Sequence, residues 1–209
     1  PKEPNLSEIC SKVRTVVENG IDWGCELIKV YSENNLGLAR RVQTGLDYVF
    51  EREDQAIILE DDTLPDPTFF TLCEELLERY AEEEKVFHIS GCNPYPTAFT
   101  SQASYCFSSI VNVWGWATWA RAWKHYDLKM RNWANQEKNT FLAKWCLERR
   151  QRQGMLKMFD LHADNDFPWT WDYQWTYACW HQDGLAATPN RNLVSNIGIG
   201  PDASHTISD

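Results

Sequence analysis

The feature that most constrains the fold is a continuously apolar run, residues 56–59, which ends abruptly in three acidic residues. A short apolar run of this kind is typical of a strand that is covered on both faces in a parallel sheet. In α/β proteins the carboxyl ends of such strands form the edge where ligands bind. The run therefore predicts a buried strand over residues 55–59, with Glu60, Asp61 and Asp62 at a ligand-binding edge.

Helical periodicity flanks this strand on both sides. Apolar residues recur at helical spacing over residues 36–52, and again over residues 69–84. Short apolar runs at residues 26–31 and 86–90 predict two further strands. Strands that alternate with helices form a mostly parallel, Rossmann-like sheet with helices on both faces. We therefore expect one α/β domain over residues 1–209, a suitable length for a single core.

The two ends of this pattern differ from its centre. A nucleotide-binding sheet normally opens with a strand, whereas this sequence opens with polar, helix-like residues, so we expect the domain to lack its N-terminal strand here. After residue 95 the pattern is less regular. A Trp-rich segment at 114–119, a basic helical run at 144–157 and a helix over residues 172–182 are expected to build the site of the second substrate.

Composition excludes several classes of function. Twenty basic against 30 acidic residues give a net charge of -10, which argues against binding the phosphate backbone of nucleic acid. Seven scattered cysteines show no CxxC pair of a zinc site and favour reduced thiols in the cytoplasm. The apolar runs are too short to cross a bilayer. We therefore expect a cytoplasmic protein, with peripheral membrane contact left open.

The acidic triplet suits a hard cation. Two carboxylates together with a substrate diphosphate form the kind of site that Mg²⁺ or Mn²⁺ prefers. Alternate side chains of an extended segment point to opposite faces, so all three acids cannot bind one ion. Taken alone, a solvated acidic turn explains the same three residues equally well.

Residues 57–65, together with Phe69-Phe70, resemble the signature of GT-A glycosyltransferases related to N-acetylglucosaminyltransferase I, and the wider chain resembles bacterial nucleotide-diphospho-sugar transferases. The supporting stretches are residues 33–37, 114–119, 171–175, 196–198 and 203–205. The resemblance implies a metal-dependent enzyme that moves a sugar from a nucleoside diphosphate sugar, expected to be UDP-linked, to a hydroxyl of a glycan or other acceptor, with inversion.

The resemblance also implies roles within the site. Asp62 would bind the metal, and Glu60 and Asp61 would contact the donor. His205 would be a second ligand of the ion, because histidine is a good ligand of Mn²⁺. A histidine in a Ser- and Gly-flanked tail is also explained by simple exposure to solvent.

Two further regions hold candidate site residues. Asn35 and Arg40 lie where a loop enters a helix, and both a helix N-terminus and an arginine favour a diphosphate. An ordinary helix cap with an exposed arginine is the alternative. Asp172 begins a helix beside Trp169 and Trp171, and similarity to inverting enzymes implies that it is the general base. A helix N-cap, worth about 1 kcal/mol, explains the same aspartate.

The sequence holds eleven tryptophans. Their rings stack well on sugars, and Trp116 is our candidate for a donor contact, although filling the core explains most of them. Two other functions stay open. A sugar nucleotidyltransferase would need a Gly-rich basic loop, which is not visible, and a non-catalytic carbohydrate-binding protein would keep the tryptophans without turnover.

Overall fold

The structure is a computed structural model that describes residues 6–94 and 103–198. By their internal contacts the residues divide into two units, Pro1–Glu33 and Asn34–Asp209, and each is described by itself. The expectation of one domain over residues 1–209 stays a prediction.

The first unit contains helix α1 (Leu6–Gly20) and an irregular segment. The strand predicted at residues 26–31 does not form, so that prediction is wrong. A strand is stable only when its backbone groups pair with a neighbouring strand. Here the segment is fixed by side chains instead, because Lys29 Nζ and Tyr31 Oη both donate to the Glu18 carboxylate of α1, at 3.1 and 2.9 Å.

The second unit holds the remaining described elements. Its helices are α2 (Leu38–Phe50), α3 (Pro67–Arg79), α4 (Ala120–Trp123), α5 (Lys138–Trp145), α6 (Arg149–His162) and α7 (Asp172–His181), with a 3-10 helix at Arg131–Asn135. Its strands are β1 (Gln55–Ile58), β2 (Thr63–Pro65), β3 (Val86–Ser90), β4 (Tyr105–Ser108), β5 (Trp116–Trp119), β6 (Leu185–Pro189) and β7 (Val194–Asn196). The predictions of α2, α3, α7, β1 and β3 are confirmed, although α3 ends five residues before the predicted Glu84.

The main sheet has the strand order β1-β5-β3-β6-β4. Only the β3–β6 pair is parallel, and the β1–β5, β3–β5 and β4–β6 pairs are antiparallel. The expected mostly parallel sheet is therefore wrong, since β5 runs in reverse between β1 and β3, and β4 is reversed at one edge. The molecule is an α/β protein with a mixed five-stranded sheet between helices.

Helices cover both faces of this sheet. Successive side chains of a strand point to opposite faces, so Trp116 and Ala117 of β5 belong to different core clusters. On one face α3 packs Phe69 and Leu76 against β3 and β5. The other face carries the aromatic cluster, including Trp175 of α7. Strand β1 is at the sheet edge and leaves Ile57 37% exposed, so the expected burial on both faces is wrong.

Gly91, the residue directly after β3, is closely packed on all sides where a side chain would project. A Cβ at this position would lie 2.6 Å from Phe69 Cε2 and 2.7 Å from the carbonyl oxygen of Gly115. Because a backbone atom cannot move aside cheaply, we expect Gly91→Ala to lower the free energy of unfolding by about 2–3 kcal/mol. Urea denaturation measures this loss.

Gly154 supplies the matched control. It lies in α6, and an added Cβ would meet nothing within 4 Å. Alanine is the better helix former, so Gly154→Ala should raise stability by up to about 1 kcal/mol. Equal stabilities for the two variants would contradict the close packing around Gly91.

Candidate active site at the carboxyl edge of the sheet

The ends of three strands and the N-termini of three helices lie at one edge of the main sheet. Strands β1, β3 and β6 run in the same direction, because β1 and β3 are both antiparallel to β5 and β6 is parallel to β3. Helices α2, α3 and α7 lead through short connections into β1, β3 and β6. Their N-termini therefore lie at the edge where those strands end. Helix N-termini carry partial positive charge and unpaired N–H groups, which favour anions.

The acidic triplet forms a tight turn directly after β1. The Thr63 hydroxyl donates to the Glu60 carbonyl at 2.7 Å, and the Glu60 amide donates to the Thr63 hydroxyl at 3.1 Å. The Thr63 amide also donates to the Glu60 carbonyl at 3.1 Å. The turn is thus fixed at both ends, and the predicted position of the triplet at a strand's carboxyl end is confirmed.

Asp62 is held against the segment that follows β7. Its carbonyl accepts from the Ile197 amide at 2.8 Å, and its carboxylate accepts from Asn196 Nδ2 at 3.2 Å. A Cβ at Gly198 would lie only 2.6 Å from Asp62 Oδ2. The absence of a side chain at Gly198 therefore leaves space for the carboxylate, which is half-buried.

Glu60, the first residue of the triplet, interacts electrostatically with Asp172, which is far away in the sequence. Burial, followed in order of effect by the charges of Asp62, Asp172 and Asp61, raises the pKa of Glu60 to about 7. The charge of Asp172 thus raises the pKa of Glu60 more than the charge of Asp61 does, although Asp61 adjoins Glu60 in the chain. Asp61 is exposed. The charges of Asp62 and Asp172 both act on Glu60, and we therefore treat these three residues as the candidate acidic site.

The raised pKa of Glu60 has a consequence for stability in the metal-free protein. The unfolded chain releases this proton near the ordinary pKa of 4.5, but the folded chain keeps it until about pH 7. The folded state is therefore favoured below pH 4.5, and that advantage is lost as the pH rises through 7. We expect a loss of about 1 kcal/mol, because solvent still screens part of this carboxyl group.

Urea denaturation at pH 4.5 and pH 8 checks this prediction. Glu60→Gln removes the titration and should reduce the loss of stability between the two pH values. Glu53→Gln, on the exposed turn after α2, is the control and should keep the wild-type loss. A wild-type loss that is unchanged in Glu60→Gln would contradict the assignment.

Asp172 is the first residue of α7, and the N-cap position belongs to Trp171, which makes no side-chain cap bond. The aspartate therefore does not act as the N-cap that the sequence left open. Its carboxylate instead accepts a hydrogen bond from the Thr170 hydroxyl. Burial raises the pKa of Tyr126 and the charge of Asp172 adds to that rise, so Tyr126 is a further neighbour.

Asn35 and Arg40 lie at the start of α2. The Asn35 side chain accepts from the Gly37 amide at 2.8 Å, and Gly37 is the N-cap with φ 73°. Arg40 is exposed and donates to the Asp166 carbonyl at 2.9 Å, with its guanidinium 5.2 Å from the centre of the Phe167 ring. The arginine therefore faces the loop that leads to Asp172.

A cleft of about 670 Å³ lies beside this arginine. Its lining includes Arg40, Tyr126, Lys129, Arg131 and Asp166. Lys129 forms an ion pair with Asp166, 2.5 Å between Nζ and Oδ1, and Arg131 pairs with Asp127 in the same lining. Tyr126, also in this lining, donates its hydroxyl to the carbonyl of Trp171, the residue before Asp172, at 3.4 Å.

The structure gives Trp116 a packing role in place of the predicted donor contact. Its side chain is fully buried, with ring centroids 5.2 Å from His88 and 5.5 Å from Trp171, both stacked. Such a ring has no face left for a sugar. Most of the tryptophans are buried, as the core interpretation expected, whereas Trp23, Trp114 and Trp169 are 64%, 38% and 49% exposed.

His205 lies outside the described residues. Within residues 6–94 and 103–198, no three His, Cys, Asp or Glu side chains form a group that could hold a metal ion. Asp62, which is half-buried, is the described residue that we assign to the candidate cation site. This arrangement leaves most of the coordination of an ion to water, substrate phosphate or residues outside the described part.

The sequence analysis did not single out Thr170, whose hydroxyl contacts Asp172. The sequence offered a signal for this contact, because a threonine two positions before an aspartate at a helix start commonly forms a local hydrogen bond.

No family model matches this chain, and no curated protein matches it either. No described helix combines the length and the apolar character that crossing a membrane requires.

Proposed function

We propose that the protein is a metal-dependent glycosyltransferase of the GT-A type. It moves a sugar from a nucleoside diphosphate sugar, expected to be UDP-linked, to a hydroxyl of a glycan or other acceptor. The observation that supports the proposal is that Glu60, at the carboxyl end of β1, experiences the charges of both Asp62 and Asp172. A carboxylate for proton transfer and a carboxylate for a cation are the two groups that this reaction requires.

The residues present fit an Mg²⁺ or Mn²⁺ ion bound together with its substrate. These ions commonly use one or two carboxylates and complete their coordination with water and substrate phosphates. Asp62 would supply the carboxylate, and His205, seven positions after Gly198 in the sequence, would supply a second ligand. When bound, the ion would neutralise the charge of the leaving nucleoside diphosphate.

The chain's own residues would perform the remaining tasks. Asp172 accepts the proton of the acceptor hydroxyl while that oxygen bonds to C1 of the sugar and the bond from C1 to the diphosphate breaks. Attack from the face opposite the diphosphate inverts the configuration at C1. Glu60 and Asp61 contact the donor, and Asn35 and Arg40 favour its diphosphate at the N-terminus of α2.

A cytoplasmic location belongs to the same proposal. All seven cysteines are free, which is the usual state where thiols are kept reduced.

Release of nucleoside diphosphate tests the proposal. The protein is incubated with a panel of UDP-, GDP- and dTDP-sugars, a panel of glycan acceptors, and either Mn²⁺ or EDTA. We expect nucleoside diphosphate release that requires one donor, one acceptor and the metal. Pyrophosphate release from a nucleoside triphosphate and a sugar phosphate would instead identify a nucleotidyltransferase. Glycan binding that ignores nucleotide and metal would identify a carbohydrate-binding protein.

A further inference from the structure

The carboxylate of Asp172 is held by a neighbour in the chain. The Thr170 hydroxyl donates to Asp172 Oδ1, and the helix that Asp172 begins has its N-cap at Trp171, which makes no side-chain cap bond. The hydrogen bond therefore does not serve the usual capping of α7. A carboxylate has two oxygens that accept hydrogen bonds, so a hydroxyl on Oδ1 fixes the direction in which Oδ2 points.

Thr170 is itself fixed in place. Its side chain is almost fully buried, and its carbonyl accepts from Gln174 Nε2 at 2.9 Å. Gln174, one turn into α7, is completely buried. The hydroxyl of Thr170 therefore approaches Asp172 from a rigid part of the core.

We propose that Thr170 is a positioning residue, whose hydroxyl holds Asp172 Oδ1 so that Oδ2 faces the acceptor hydroxyl. The inference rests on the proposed function, in which Asp172 is the general base. Geometry of this kind matters because a displacement of about 1 Å in a catalytic group can lower a rate about a hundredfold.

Thr170→Val tests the inference, because valine keeps the shape and removes the hydroxyl. We expect kcat to fall about tenfold to a hundredfold, with KM for donor and acceptor unchanged. Thr170→Ser restores the hydroxyl and should bring kcat back to within about threefold of wild type. Thr176→Val, a half-buried change farther along α7, is the control and should leave kcat unchanged.

A second measurement does not depend on turnover. Urea denaturation of Thr170→Val, Asp172→Ala and the double variant forms a double-mutant cycle. We expect the effects on the unfolding equilibrium constant to be non-additive by a factor of about ten, as for a hydrogen bond to a charged group.

The outcomes separate this inference from the function on which it rests. An additive cycle, or a Thr170→Val enzyme with wild-type kcat while Asp172→Asn is inactive, overturns the role of Thr170 and leaves the base assignment standing. Wild-type turnover in Asp172→Asn overturns both. A tenfold coupling together with rescue by serine supports the inference.

Discussion

Asp172→Asn is expected to lower kcat for sugar transfer about a thousandfold, while the affinity for the nucleoside diphosphate sugar stays within about twofold of wild type. Asparagine keeps the shape of aspartate and still accepts a hydrogen bond from Thr170. It cannot accept a proton from the acceptor hydroxyl. The change therefore removes the proposed chemistry of the base and leaves the packing of α7 in place.

Initial rates at saturating donor and acceptor measure the loss, and calorimetry with donor alone measures the affinity. Asp22→Asn is the matched control, because Asp22 is an exposed aspartate in the other unit. Retained turnover in Asp172→Asn would contradict the base assignment. A loss of cooperative unfolding would instead assign a structural role to Asp172.

Asp62→Asn is expected to weaken metal-dependent nucleotide binding at least about a hundredfold, and to lower kcat/KM by a similar factor. A neutral amide is a much poorer ligand of Mg²⁺ or Mn²⁺ than a carboxylate. The substitution keeps the volume beside Gly198, where space is limiting. The loss should therefore appear as a loss of binding and not of folding.

Titration of nucleotide in the presence of Mn²⁺ measures this effect, and urea denaturation confirms that the fold is intact. Asp54→Asn is the control, since Asp54 precedes β1 and lies at the opposite edge of the sheet. Nucleotide binding that is equally strong in Asp62→Asn and wild type would show that the cation binds elsewhere.

Local periodicity was enough to predict much of the fold. Helices α2 and α3 follow from apolar residues at helical spacing, and strands β1 and β3 follow from short apolar runs. Strand β5 was missed because Thr118 interrupts its apolar run, while burial at every position leaves no alternation that would mark a strand. Strand β5 runs antiparallel to both β1 and β3. Its direction depends on how all the strands pair, so the local sequence does not reveal it.

The site was predictable only in part. A triplet of acids after an apolar run is visible in the sequence, and its place at the strand's end follows from general topology. The charge of Asp172 raises the pKa of Glu60 more than the charge of neighbouring Asp61 does. This effect depends on how α7 packs on the sheet, which the local sequence does not reveal. The predicted donor contact of Trp116 failed because nothing in its local sequence distinguishes a buried indole from an exposed one.

The central claim is that Glu60, Asp62 and Asp172 surround a nucleoside diphosphate sugar with its cation. Calorimetry with UDP, with and without Mn²⁺, tests it most directly. We predict binding of UDP that requires Mn²⁺ and is lost in Asp62→Asn. UDP binding that is indifferent to Mn²⁺, or no binding of any nucleoside diphosphate under either condition, would contradict the claim.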